Sequence, residues 1–76
     1  MQDVMFDLAA ALRERISIIR DEDSRRHPKK HMARLQTVSA KIDNLQAALP
    51  PSIDPRLAHY LQRRSYEKAL ELLEGM

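Results

Sequence analysis

Leu35, Val38, Ile42, Leu45 and Leu49 follow one another at intervals of three and four residues, the spacing of one narrow seam on an α-helix. On the opposite side of that helix, Ala33, Ala40 and Ala47 recur at every seventh position. A strict two-in-seven apolar pattern is narrower than the stripe of an ordinary globular helix and suits knobs-into-holes packing. An earlier stripe is formed by Val4, Met5, Leu8, Ala11, Leu12, Ile16 and Ile19, which predicts a first helix from about Asp3 to about Ser24. Asp3 suits its N-cap, and Asp7 suits the positive end of its dipole. Arg15 lies at the stripe's edge, where its stem can follow the seam with its head in water. Phe6 points the other way with Ala9, Ala10 and Arg13, as an isolated exposed ring or as a second, weaker contact face.

Pro28 is welcome only in the first turn of a helix, so the second helix opens there, with His27 or Ser24 as cap, and runs to about Ala48. Pro50 and Pro51 close it. Residues 50–55 form a stiff connector that ends in an Asp54 cap, with Pro55 at the first helical position. Leu57, Ala58 and Leu61 define one stripe, whereas Tyr66, Ala69, Leu70 and Leu73 lie about 120° away at the helical period. One straight helix cannot keep both stripes on one core. The tail therefore divides into short helices at about 55–63 and 65–74, with Ser65 as the second N-cap and Gly75 at C′.

Leu57-Ala58-His59-Tyr60-Leu61, followed by Ser65 to Leu73, resembles the turn and second helix of a tetratricopeptide repeat. Tyr66, Ala69 and Leu70 carry the resemblance, which covers under a third of the chain. The family's turn glycine is replaced by Arg63-Arg64, and where the family stacks repeats this chain holds one partial copy. The resemblance implies shared helical-hairpin chemistry and no more than that.

The expected fold is all-α: one domain spanning 1–76, with a long antiparallel helical hairpin followed by one or two short C-terminal helices. A 76-residue chain buries little core, and small domains usually need disulfides, a metal or a partner. With no cysteine, disulfides and thiolate zinc sites are excluded, and pairing of hairpins into a dimeric helical bundle is expected. Hydrophobic content of 43% with 32% charged residues is globular. Phe6, Tyr60 and Tyr66 are the aromatics, so aliphatic side chains must build the core. A single glycine excludes the Rossmann and P-loop phosphate cradles. The longest apolar run, Leu8–Leu12, is too short for a membrane span and lacks the flanks of a signal peptide, so a cytoplasmic location is expected.

Charge is unevenly placed along the chain. Asp21, Glu22 and Asp23 precede Arg25, Arg26, Lys29, Lys30 and Arg34, and no acidic residue falls between Ser24 and Ile42. Such a cluster can neutralise up to ~5 phosphates. It has no aromatic partner for base stacking and matches no named nucleic-acid motif. Its bland alternative is a solvated turn paired to the acidic triplet. His27 and His31 have the four-residue spacing of two ligands on one helical face, but the set is incomplete and cationic neighbours oppose a metal. The carboxylate pairs Glu67/Glu71 and Glu71/Glu74 lie on the outside of an amphipathic helix, and no nucleophile, base and orienter can be assembled. No catalysis, cofactor, metal or small-molecule substrate is expected. The leading expectation is a self-associating protein–protein interaction or adaptor module using Ala33, Ala40, Ala47, Phe6, Tyr60 and Tyr66. The alternative is nucleic-acid or other polyanion binding by Arg25, Arg26, Lys29, Lys30 and Arg34.

Overall fold

Asp3 caps the first helix by accepting a hydrogen bond from the Met5 amide at 3.0 Å, which satisfies one of its orphan donors. In the computed structural model, which describes residues 3–75, five helices follow: α1 (Val4–Arg20), α2 (Glu22–Arg25), α3 (Pro28–Ala47), α4 (Pro55–Gln62) and α5 (Tyr66–Glu74). The fold is all-helical, with no strand among the described residues, and measures 40 × 22 × 21 Å. None of its helices is long and apolar enough to cross a membrane.

The first helix is shorter than its stripe predicts. It stops at Arg20 because Asp21 takes an extended backbone (φ −80°, ψ 103°) and turns its carboxylate to the Ser24 amide at 3.2 Å, capping the one-turn helix α2. Ser24 is therefore part of a separate element. Its hydroxyl does not cap α3 but is buried against His31 Nδ1 at 2.8 Å, while His27 occupies the N-cap of α3 without a side-chain bond. Pro28 stands at the first helical position, where its missing N–H costs nothing. Asp54 caps α4 through the Arg56 amide at 2.8 Å.

Packing is organised around α1, which touches both α3 and α5. Its buried side chains run from Ile18 through Ala11, Leu8 and Leu12 to Ala9, an arc of about 180° on a helical wheel. That arc is wider than the sequence stripe, and the extra width is what lets a second neighbour dock. Ala9, expected beside Phe6 on an outer face, is thus core. Helix α3 contributes Val38 and Ile42 to the interior, with Leu35, Leu45 and Leu49 packed half-buried against it. The terminal helices fold back over α1, so Leu57, Leu61, Tyr66, Ala69 and Leu70 complete one core with Leu8 and Leu12.

Ion pairs record the register. Glu14–Lys41 (3.8 Å) and Asp21–Arg34 (3.2 Å) run in opposite order along α1 and α3, as do Arg13–Glu74 (3.6 Å) and Arg20–Glu67 (3.8 Å) along α1 and α5. Exposed pairs of this kind contribute about 0–1 kcal/mol each, so burial decides the arrangement.

The α4–α5 turn is unusual in its residue. Arg64 adopts a left-handed backbone (φ 59°), and its amide bonds Leu61 O at 3.1 Å while the Ser65 amide reaches back to Tyr60 O at 2.8 Å. This is the Schellman closure, whose C′ position normally falls to glycine. Gly75, expected in such a position, instead ends α5 in the right-handed region (φ −84°). Arg64 has the left-handed turn because the core on either side, Leu61 and Tyr66, leaves the chain only the four residues 62–65 in which to reverse.

Truncation of Leu12, fully buried between the helices, is expected to cost about 2–5 kcal/mol in urea unfolding, and Phe6→Ala within about 0.5 kcal/mol. Ile42→Asp, which buries a charge, is expected to abolish the cooperative transition.

Candidate functional site

A helix packed along only one side leaves the other to solvent, and α3 is in this position. Ala33, Ala40 and Ala47 are all exposed, about 170° around the helix from Val38 and Ile42. From Ala33 to Ala48 the outward face reads Ala33, Gln36, Thr37, Ala40, Asn44, Ala47 and Ala48, every one exposed and none charged. Arg34 and Lys41 stand on one rim of this strip and Asp43 on the other, while Lys29 continues the line of the alanines one turn before Ala33. Arg34 donates to Asp21 at 3.2 Å and Lys41 reaches Glu14, tying one rim to α1. Thr37 donates its hydroxyl to its own helix at Ala33 O (2.9 Å), so this polar group is already satisfied. Three large apolar side chains are also exposed, Phe6 at 67%, Met32 at 57% and Ile19 at 39%.

The tyrosines expected to form a contact surface on the terminal helices are placed differently. Tyr66 is only 5% exposed and belongs to the core, because α5 folds onto α1. Tyr60 is half-buried, its ring tilted against His59 at 6.1 Å between centroids. With Leu57, Leu61 and Leu70 also consumed by packing, the terminal helices present no apolar arm. Of the six residues expected at oligomer or partner interfaces, the three alanines share a face, Phe6 stands alone on α1, Tyr66 packs inward and Tyr60 is half-buried.

The basic segment is exposed throughout at the start of α3. Arg34 is bound to Asp21, and Arg26 lies 3.9 Å from Asp23; Arg25, Lys29 and Lys30 have no carboxylate partner among the described residues. Arg26, Lys29 and Lys30 line a shallow hollow with His27 and Pro28. Among the described residues no three His, Asp or Glu side chains group as metal ligands, and His31 Nδ1 is engaged by Ser24.

Arg15 was placed by its stripe at the water's edge, but its guanidinium carbon lies 4.7 Å from the Tyr66 ring centroid. Its Nε is buried without a hydrogen-bond partner. On the other side of the same tyrosine, Arg64 donates to the hydroxyl at 3.3 Å. Arg64 and Tyr66 are neighbours across the α4–α5 turn, but no sequence spacing signals Arg15, which joins them only through the docking of α5 on α1.

Two aspartates titrate below the usual carboxylate range. For Asp21 the hydrogen bond from the Ser24 amide is the larger cause and the Arg34 side chain the next; for Asp54 the side chain of Arg56 leads, followed by its amide. Comparisons with protein families, with curated proteins and with solved structures find no match to this chain, so the tetratricopeptide resemblance of residues 57–73 stays a local one.

A lowered folded-state value means that the carboxylates stabilise the fold above the ordinary aspartate range and that this contribution is lost as pH falls through it. Asp21→Asn is therefore expected to lower the melting temperature at neutral pH and to flatten its decline on acidification, followed by circular dichroism. Arg64→Gly is expected to be neutral or to stabilise the fold by up to about 1 kcal/mol, the left-handed strain relieved against the added chain entropy.

Proposed function

We propose that this chain is a non-enzymatic helical interaction module that self-associates, with α1 and α3 acting as an antiparallel hairpin and the outward face of α3 as the contact. The observation that carries this reading is the uncharged, fully exposed strip from Ala33 to Ala48 on a protein that is 32% charged. Burying such a strip removes no charge from water, and charge burial is the main cost that protects ordinary helix surfaces from association. Alanine at every seventh position lets a second helix approach closely, since interaxial distance follows side-chain size at the contact. A second copy is the simplest occupant: a two-fold interface needs one self-complementary face, and two hairpins so joined form a four-helix bundle. The modest core of the single chain is then extended across the axis. Phe6 and Met32, outside the strip, are left for another protein, and a cysteine-free chain suits a cytoplasmic setting.

Sedimentation at micromolar concentration is expected to report two chains. Ala40→Glu, which places a charge in the middle of the strip, is expected to dissociate them while helix content by circular dichroism is retained. A folded wild-type monomer at that concentration would overturn the reading.

A second reading, polyanion binding, is favoured by the exposed and unpartnered Arg25, Lys29 and Lys30. It predicts binding to generic duplex DNA or RNA that weakens with salt, with the log–log slope falling by about 2–3 when those three are replaced by Gln. An unchanged slope removes them from any such site.

A further inference from the structure

Two guanidinium groups converge on one buried tyrosine without an acid between them. Arg15, from the middle of α1, lies over the Tyr66 ring at 4.7 Å, and Arg64 meets the Tyr66 hydroxyl at 3.3 Å. Both line a single solvent-open concavity with Ser65, Tyr66, Glu67 and Lys68. Neither arginine, nor Lys68, has a carboxylate partner among the described residues; Glu67, the acid at the rim, is turned to Arg20 at 3.8 Å.

An arginine cannot shed its charge, so three cations around one hollow repel one another at every physiological pH. The buried Nε of Arg15 adds a donor with no acceptor, in a protein where the other described buried side-chain polar atoms are satisfied. The crowding of the cations is relieved by an anion with several acceptor oxygens held in the hollow. Ser65, the N-cap of α5, lines the hollow, and its hydroxyl makes no capping bond to the helix. Planar guanidinium forks match tetrahedral oxyanions, and Lys68 adds a point charge.

We infer that the concavity at the α4–α5 turn, formed by Arg15, Arg64, Ser65 and Lys68 around Tyr66, is a binding site for a phosphate dianion, free or as a small monoester. It is distinct from the basic segment at α2–α3, and it adjoins the end of the alanine strip, since Arg64 and Tyr66 also line a neighbouring concavity with Ala47 and Asp43.

The test uses isotope-labelled full-length protein, titrated at constant ionic strength with inorganic phosphate and, separately, with glycerol 3-phosphate, against a chloride control. Saturable amide shifts centred on Ser65–Lys68 are expected with at least one of the two, and the tighter ligand tells the free from the esterified form. Arg64→Gly supplies a variant whose backbone suits the turn, so thermal melting shows it folded. It is expected to weaken phosphate binding about tenfold, the effect of losing one charge-assisted hydrogen bond. Lys68→Gln is expected to weaken it in the same direction. Shifts no larger than with chloride, shifts centred on residues 25–30, or unchanged affinity in folded Arg64→Gly would each overturn the assignment.

Discussion

Helix α1 is buried on two sides, and the remaining elements take their places from that constraint. A helix that hides about half its circumference needs two neighbours, and α3 and α5 supply them on either flank of Leu8, Ala11 and Leu12. Alanines at positions 9 and 11 keep those flanks low enough for both partners to approach. Because α1 takes the central position, α3 is left with one packed side and one bare side. The leucines of α4 and α5 are drawn inward by the same demand. The bare face of α3 is therefore a consequence of how the core is shared.

Two turns make this sharing possible, and they solve the same problem by opposite means. At Asp21 the chain leaves α1 in an unstrained extended conformation, and a carboxylate replaces the missing helical bonds while also receiving Arg34. At Arg64 the reversal is tighter and the backbone itself absorbs it, in a left-handed conformation that costs an L-residue about 1–2 kcal/mol. A glycine would remove that cost, and the guanidinium it would sacrifice is the one that meets Tyr66. The same turn is where the local tetratricopeptide resemblance departs from its glycine.

Much of the architecture was legible in the residues. Pro28, Asp54 and Pro55 mark helix starts through chemistry that acts within one turn, and the 120° divergence of the stripes at 57–61 and 66–73 marks the break between α4 and α5. The exposed alanine face was legible too, since it is defined by periodicity against the Leu35–Leu49 seam. Less accessible was the end of α1, because an Asp inside an amphipathic run reads equally as a helical residue and as a cap. Tyr66 was misplaced for a related reason: aromatic and arginine side by side is the composition of an interface, and equally of a core edge with a stacked guanidinium.

Local periodicity and capping thus determined the identity of the helices, the inner and outer sides of α3, and the exclusion of cysteine and glycine-rich phosphate chemistry. These are short-range properties, set by hydrogen bonds and side chains within a few residues of each other. Which helix would be central, whether the terminal pair would close over it, and which charges would meet were decided only in the tertiary structure. Arg15 joins Arg64 and Tyr66 because apolar burial on two sides of α1 pulls α5 across it, and burial has no sequence range. The alanine strip was written in the chain; the cationic hollow around Tyr66 had to be assembled.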